Sequence, residues 1–392
     1  MDRRDFLKAA AAGAAAMAAS PDTVFGSSVV TERYAAPLSR IRHSMSDIAQ
    51  LDNTDDQHAA LARLVESSEV EEVADALHKD AHLQELYDAA EEELHTSLHD
   101  ITEMEREDVA PQSGFIAPPS FLYKEDAVVA AVVFGMSGIG AKLLNKAPNQ
   151  KLDRERNMML ICLREEESNV IPQYNEGSFV NQFHDIDHAQ LHNIGIAHDW
   201  KHFYNNRDYI LLSQAIRTAD VALLEYGRGY FDALADYAQE KGKKAFYVDI
   251  AHSVDAYKAL EITAFTMSTF LALYAQKHED RLARIALAIP ISLYSKYGAI
   301  ADVSLNYKFN IPERFFLSHV ADGRTVLMLK NSLDVMDAMQ RGNHGEKVSL
   351  ITGNVHARGI EDYLAHPKTF ALKKYLWNIF GGNALIKPTP AY

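Results

Sequence analysis

The chain has 392 residues, of which 47% are hydrophobic and 24% are charged. These values are ordinary for a globular protein with one large domain or two smaller ones. The formal net charge of −15 at pH 7 argues against binding to nucleic acid or to an anionic membrane surface through bulk electrostatics. The single cysteine, Cys162, excludes an intrachain disulfide framework and any zinc or iron–sulfur site built from several cysteines.

Residues 1–20 predict an export signal. Arg3 and Arg4 are followed by Phe6-Leu7-Lys8 and then by an alanine-rich run. Paired arginines before a short, weakly apolar segment are typical of a twin-arginine signal, and the alternative is the basic helical start of a cytosolic protein. The run is too short to form a stable membrane span. We therefore expect a protein exported through the twin-arginine pathway to the periplasm or another extracytoplasmic compartment.

Residues 21–179 are expected to form a mostly helical N-terminal region. Between Ala49 and Glu107, leucine and valine recur at spacings of three and four, and acidic residues fill the other positions. This pattern predicts amphipathic helices. Further along, we expect an exposed, charged loop at residues 148–156 and a buried segment at residues 157–163.

Residues 180–392 predict an α/β domain. Short apolar runs, interpreted as buried strands, alternate with helical patterns, and they occur at residues 193–197, 221–224, 245–248 and 348–352. Strands that are apolar throughout are typical of a parallel sheet covered on both faces. The predicted fold class is therefore α/β: a mainly parallel sheet flanked by helices, with long helical insertions and a helical N-terminal region.

Three polar residues follow strands of this predicted sheet. His198 ends the motif Gly195-Ile196-Ala197-His198, Glu225 follows Leu224, and His356 ends the motif Gly353-Asn354-Val355-His356. Ligands of open α/β sheets bind at the carboxyl ends of the strands, so we expect these side chains to converge within roughly 8 Å. A carboxylate at the end of an apolar strand requires a compensating partner.

Alternatives remain for these residues. The histidines are also compatible with a structural role, and Glu225 with a charge at the start of the next helix. Asp249 is a further candidate at a strand end. Arg358 is a candidate for binding an anionic group, and an exposed surface arginine is the alternative.

A second group of imidazoles and carboxylates precedes the first motif. If this stretch is helical, the spacing of four between histidines places them on one face. Imidazole with carboxylate suits Zn, Mn, Co or Ni better than Ca or Mg, and a polar loop rich in histidine is the alternative. The members are His184, Asp185, Asp187, His188 and His192.

The two Gly-x-x-His motifs and the strand-borne glutamate between them resemble the Tiki/TraB superfamily, which includes erythromycin-esterase-like and ChaN-like proteins. The resemblance covers about residues 180–365. The stretch that begins with Lys330 and Asn331 is similar to the Arg-Asp or Arg-Asn helix of the superfamily, with Lys330 in place of the arginine. Its members include hydrolytic enzymes, some of them metal-dependent proteases, and others bind haem.

The resemblance implies an exported, metal-dependent hydrolase of the esterase or peptidase type, acting on a small-molecule or peptide substrate. His198 and His356 would be metal ligands or acid–base groups, and Glu225 a ligand or general base, around a divalent ion such as Zn, Mn or Co. Arg358 would complete the catalytic set. The alternative is a haem- or metal-binding carrier without turnover. A serine hydrolase is disfavoured because the sequence contains no Gly-x-Ser-x-Gly motif.

Overall fold

The computed structural model describes residues 29–49, 51, 53–93, 149–165, 180–186, 189–196, 208–225, 229–250, 311–341, 347–381 and 388–392, and seven further positions between residues 260 and 274. The chain divides into two compact units. The first, here called the helical unit, lies within residues 1–142, 254–323 and 363–385. The second, the sheet unit, lies within residues 143–253, 324–362 and 386–392. The domain boundary expected at residues 179 and 180 stays a prediction.

The described part of the helical unit consists of packed helices. Its helices are α1 (Val29–Ala49), α2 (Thr54–Val65), α3 (Ser68–His78), α4 (81–93) and α10 (Pro367–Ile379). The Ser67 side chain caps α3 by accepting from the Val70 amide, a common way to satisfy the first turn of a helix. Residues 54–65, 68–78 and 81–93 are therefore helical, as the spacing of leucine and valine predicts, whereas residues 94–148 lie outside the described part of the chain.

The sheet unit contains a mixed sheet of six strands. In chain order they are β1 (Asn181–Ile186), β2 (Ala189–Ile196), β3 (Val221–Leu224), β4 (Lys244–Tyr247), β5 (Lys347–Gly353) and β6 (Thr389–Pro390). The spatial order is β1-β2-β5-β3-β4-β6. The four central strands pair in parallel, and the edge strands β1 and β6 pair antiparallel. Of the four central strands, β5 comes last in the chain, and it lies between β2 and β3 in the sheet.

Helices flank this sheet, as expected for an α/β unit. They are α5 (Asn149–Glu165), α6 (Asp208–Thr218), α7 (Tyr230–Glu240), α8 (Ile311–Arg341) and α9 (Asn354–Ala365), and the last two span the division between the units. Strand residues such as Leu224 and Ile351 share one buried core with Phe231 and Tyr237 of α7. The four-residue strand β3 is buried at every position, which is why its sequence is apolar throughout.

One local expectation is wrong. Residues 149–156 form the first half of α5 rather than a loop, and Arg156 of this segment donates to Asp236 at 2.6 and 2.7 Å. The apolar run at residues 325–329, whose pattern is compatible with a strand or with the start of a helix, lies in the interior of α8. The helix after β5 begins at Asn354, directly after the strand.

Candidate functional site

The carboxyl ends of the central strands carry a group of buried polar side chains. Glu225 follows β3 immediately, Asp249 lies two residues after β4, and His356 lies in the first turn of α9 after β5. The side chains of Glu225 and Asp249 are each 4% exposed and that of His356 is 7% exposed. The amide of Glu225 donates to Ile351 O at 3.0 Å, so the β3–β5 ladder continues up to this residue and fixes where its side chain starts.

Glu225 accepts a hydrogen bond on each carboxylate oxygen. Arg324 Nη2 donates to Oε1 at 2.7 Å, and the backbone N–H of Gly353 donates to Oε2 at 2.5 Å. A guanidinium and an oriented amide are the donors that a buried carboxylate needs to remain charged. Glu225 is therefore a compensated anion that joins β3 to the end of β5.

Arg324 binds a second carboxylate with the same guanidinium. Its Nη2 donates to Asp249 Oδ2 at 2.5 Å, and its Nε lies 3.3 and 3.2 Å from the two oxygens. Burial raises the pKa of Asp249; the Arg324 guanidinium opposes this rise, and the nearby Glu225 charge adds to it. One cation thus lies between two buried carboxylates, and the group as a whole is anionic when both are ionised.

Arg324 is a site residue that the sequence analysis missed. Lys330, the residue expected at the arginine position, lies on the same helix but donates to Asp334, an exposed carboxylate, at 2.7 Å. Asn331 is fully buried and donates from Nδ2 to Val248 O at 2.8 Å, at the end of β4. Arg324 and Asn331 are seven residues apart, which places them on one helical face. In the sequence, this spacing is the feature that could have identified Arg324 as the arginine on the same helical face as Asn331.

His356 is oriented by contacts at both ring nitrogens. Its Nδ1 lies 2.9 Å from Thr325 Oγ1, and its Nε2 lies 3.9 Å from Glu225 Oε1. The second distance is longer than a hydrogen bond, but it admits a water molecule bonded to both atoms. The structure therefore brings two of the predicted site residues, Glu225 and His356, together.

The other two predicted site residues remain open. His198 lies outside the described residues, so its place in the site stays a prediction. Arg358 is half-buried on α9, two residues after His356, and its catalytic role likewise stays a prediction.

The glycine of the first Gly-x-x-His motif allows α9 to approach β2. A Cβ atom on Gly195 would lie 2.9 Å from Ala357 Cβ and 2.9 Å from Asn354 Oδ1, closer than packed atoms approach each other. Two residues earlier on the strand, Asn193 Nδ2 donates to Ala357 O at 2.9 Å. Gly195 and Asn193 together hold the first turn of α9, and so the backbone of His356, against the sheet.

The histidine-rich stretch is not a helix. Residues 181–186 and 189–196 form the antiparallel pair β1–β2, in which His192 pairs with Phe183, the neighbour of His184, so His184 and His192 lie on opposite faces of the sheet. His184 Nε2 lies 2.9 Å from Glu361 Oε1. His192 Nε2 lies 2.6 Å from Asn181 Oδ1, and burial lowers its pKa to about 4. The two histidines therefore have separate partners, whereas Asp187 and His188 lie outside the described residues.

The described residues do not fit a metal ion at Glu225. Within the described ranges no group of three or more His, Cys, Asp and Glu has metal-binding geometry. Glu225 Oε1 and His356 Nε2 lie 3.9 Å apart. If both bound one zinc ion, the angle between the two bonds at the ion would be about 140° rather than tetrahedral. Arg324 already places a positive charge on that oxygen. The predicted Zn, Mn or Co site thus depends on His198 and other residues beyond the described ranges.

Comparisons with known proteins identify the N-terminus. Residues 1–20 match the model of the TAT (twin-arginine translocation) pathway signal sequence. The protein is exported through the twin-arginine pathway to the periplasm or another extracytoplasmic compartment, as the paired arginines predict. Neither the curated proteins nor the solved structures contain a match to the chain. In the described part of the chain, no helix has the length and apolar character needed to cross a membrane.

Proposed function

We propose that this exported protein is a hydrolase in which Glu225 and His356 bind and activate a water molecule. The observation that carries the proposal is the 3.9 Å separation between Glu225 Oε1 and His356 Nε2, two buried polar atoms at the carboxyl ends of parallel strands. A glutamate and a histidine at this place are also what the resemblance to the Tiki/TraB superfamily implies. The proposed substrates are small molecules or peptides in which an ester or peptide bond is cleaved.

The separation suits one water molecule. An oxygen about 2.8 Å from both atoms would form an angle of about 90° with them, which is compatible with donating one proton to each. Its lone pairs then point away from both acceptors, towards an incoming carbonyl carbon. As the water oxygen bonds to that carbon, one proton passes to the acid–base pair. The same pair returns it to the leaving alcohol or amine, as general acid–base catalysis requires.

Arg324 and the Gly353 amide support this role by holding Glu225. With one donor on each oxygen, the carboxylate has a fixed orientation and a compensated charge in a buried place. No step here requires a metal ion. The divalent metal, and the alternative of a haem- or metal-binding carrier without turnover, stay predictions that depend on residues beyond the described ranges.

The test compares two site variants with one control in hydrolysis of a panel of nitrophenyl esters and chromogenic peptides. His356→Gln and Glu225→Gln are expected to lower kcat/KM by at least about 100-fold, a typical contribution of an acid–base group. The control is His184→Gln, because His184 pairs with Glu361 and not with Glu225. Its kcat/KM should stay within about threefold of the wild type.

Two further measurements make the result decisive. Metal content by mass spectrometry, measured on the same samples, shows whether His356→Gln loses a bound ion along with activity. Circular dichroism gives the folded fraction of each variant. This control is needed because the amide nitrogen in Glu225→Gln would face a hydrogen-bond donor, either Arg324 or the Gly353 N–H, and this contact would destabilise the fold. A wild type that cleaves no member of the panel, or variants that retain wild-type rates, would contradict the proposed hydrolase.

A further inference from the structure

Two consecutive residues of α8 contact the two members of the proposed acid–base pair. Arg324 donates to Glu225, and the next residue, Thr325, contacts His356 through Oγ1 at 2.9 Å. Thr325 and His356 are both buried, so solvent does not compete freely for this hydrogen bond. A buried imidazole with a fixed partner on one nitrogen has a defined orientation. When the ring is neutral it also has a preferred tautomer, because the partner selects which nitrogen carries the proton.

A glycine on α9 fixes the rotamer of Thr325. A Cβ atom on Gly359 would lie 2.8 Å from Thr325 Cγ2 and 3.5 Å from its Oγ1, so the threonine methyl packs directly over the bare backbone at Gly359. With the methyl held there, the staggered rotamer directs Oγ1 towards Nδ1 of His356, three residues earlier on α9. The Thr325–His356 contact therefore depends on the close approach of α8 and α9 at Gly359.

The direction of this hydrogen bond decides the chemistry of His356. A threonine hydroxyl within a helix can give its proton to a carbonyl one turn earlier in the same helix, and Thr325 lies in the interior of α8. A hydroxyl that donates in this way accepts from Nδ1–H of the imidazole with its oxygen. Nε2 in turn presents a lone pair on the side of Glu225 Oε1, 3.9 Å away. Two acceptors facing each other at this distance favour a donor of two hydrogen bonds, such as water, between them.

We infer that Thr325 is a positioning residue that holds neutral His356 in the Nδ1–H form, with Nε2 directed as an acceptor towards Glu225. This inference rests on the proposed function for its purpose, because the Nε2 lone pair is what lets His356 accept a proton from water. Its geometry is separate from turnover, so it can be tested without a substrate.

The test is nitrogen NMR of the histidine rings in the mature protein, labelled with ¹⁵N-histidine and studied at a pH where the imidazoles are neutral. Spectra of His356→Gln assign the His356 signals among the 17 histidines. The wild type is expected to show a protonated Nδ1, with a slowly exchanging proton, and an unprotonated Nε2. Thr325→Val should lose that protected proton and shift both nitrogen signals, whereas Thr325→Ser, which keeps the hydroxyl but lacks the methyl that packs at Gly359, should keep the Nδ1 proton with faster exchange than in the wild type.

The control is Thr369→Val, which removes a different buried hydroxyl, one that donates to Glu93 Oε2 at 2.7 Å. It should lower the melting temperature and leave the His356 signals unchanged, so loss of stability alone would not mimic the expected result. An Nε2–H form in the wild type, or unchanged His356 signals in Thr325→Val, overturns the inference. Once His356→Gln has given the assignment, the wild-type spectrum decides the matter even where a Thr325 variant does not fold. If the spectra agree and no variant alters hydrolysis, the proposed function fails while the positioning role of Thr325 stands.

Discussion

Arg324 Nη2 lies 2.7 Å from Glu225 Oε1, and the same guanidinium binds Asp249, the second buried carboxylate. Among the described residues, the Arg324 guanidinium is the cation that compensates these two carboxylates, each 4% exposed, which follow the neighbouring strands β3 and β4. Removing one partner of a buried ion pair costs more than the pair itself contributes, because the remaining charge is uncompensated.

We therefore expect Arg324→Met to lower the free energy of unfolding by about 3–5 kcal/mol. The matched control is Lys330→Met on the same helix: the side chains of Arg324 and Lys330 are both 22% exposed, but Lys330 pairs with an exposed Asp334. That variant should change the unfolding free energy by less than about 1 kcal/mol. Urea denaturation followed by circular dichroism measures both values.

A double variant separates charge from packing at the same place. If uncompensated charge causes the loss, adding Asp249→Asn to Arg324→Met should restore part of the stability, since one carboxylate then disappears. Equal losses in Arg324→Met and Lys330→Met, or no recovery in the double variant, would count against the role assigned to Arg324.

Gly195 supplies a prediction about the approach of α9 to β2. Gly195→Ala places a methyl group 2.9 Å from Ala357 Cβ, and the neighbouring backbone at Asn354 leaves it little room. We expect a loss of about 1–3 kcal/mol in unfolding free energy from this overpacking. Adding Ala357→Gly removes one of the two close neighbours and should recover part of the loss. A Gly195→Ala melting temperature equal to that of the wild type would refute this packing account.

His192 predicts a pH dependence of stability. Burial lowers its pKa from 6.5 to about 4 in the folded protein, so the unfolded chain takes up a proton at a higher pH than the folded protein does. The stability that His192 contributes is fully present above about pH 6.5 and is lost as the pH falls towards 4. After allowing for partial solvent contact, we expect a loss of about 1–2 kcal/mol across this window.

Denaturation between pH 4 and 7 measures this effect. His192→Gln should flatten the dependence, because the proton uptake on unfolding disappears. His82→Gln is the control, since the His82 side chain is 59% exposed, and it should retain the wild-type slope. The same slope in His192→Gln as in the wild type would show that other groups cause the pH dependence.

The export signal predicts a processing defect. Replacing Arg3 and Arg4 together by lysine should leave full-length precursor in the cytoplasm, because the pathway recognises the arginine pair. Lys8→Arg keeps the pair and should be processed normally. Cell fractionation and mass spectrometry of the N-terminus, where Ala16-Met17-Ala18 offers a cleavage site, distinguish these outcomes. Normal export of the double-lysine variant would exclude this pathway for the chain.

The sequence predicts only some of the residues of the candidate site. The sequence places Glu225 after an apolar strand and His356 after a strand that ends in glycine, and the structure has both at those positions. The histidine-rich stretch was compatible with one helical face or with a polar loop, and it is instead a pair of antiparallel strands whose register places His184 and His192 on opposite faces. Arg324 was overlooked in favour of Lys330, because helical periodicity gives the face of a residue but not the partner that the face meets.

What the sequence by itself determined is local. A run such as Val221–Leu224 is apolar at each position because the strand is buried on both sides, and the arginine pair of the export signal is read as a linear motif. Only the tertiary structure decided that β5 lies between β2 and β3, which brings His356 to within 3.9 Å of a glutamate 131 residues earlier. Strand order depends on how whole elements pack and pair across long stretches of chain, and no local spacing records it.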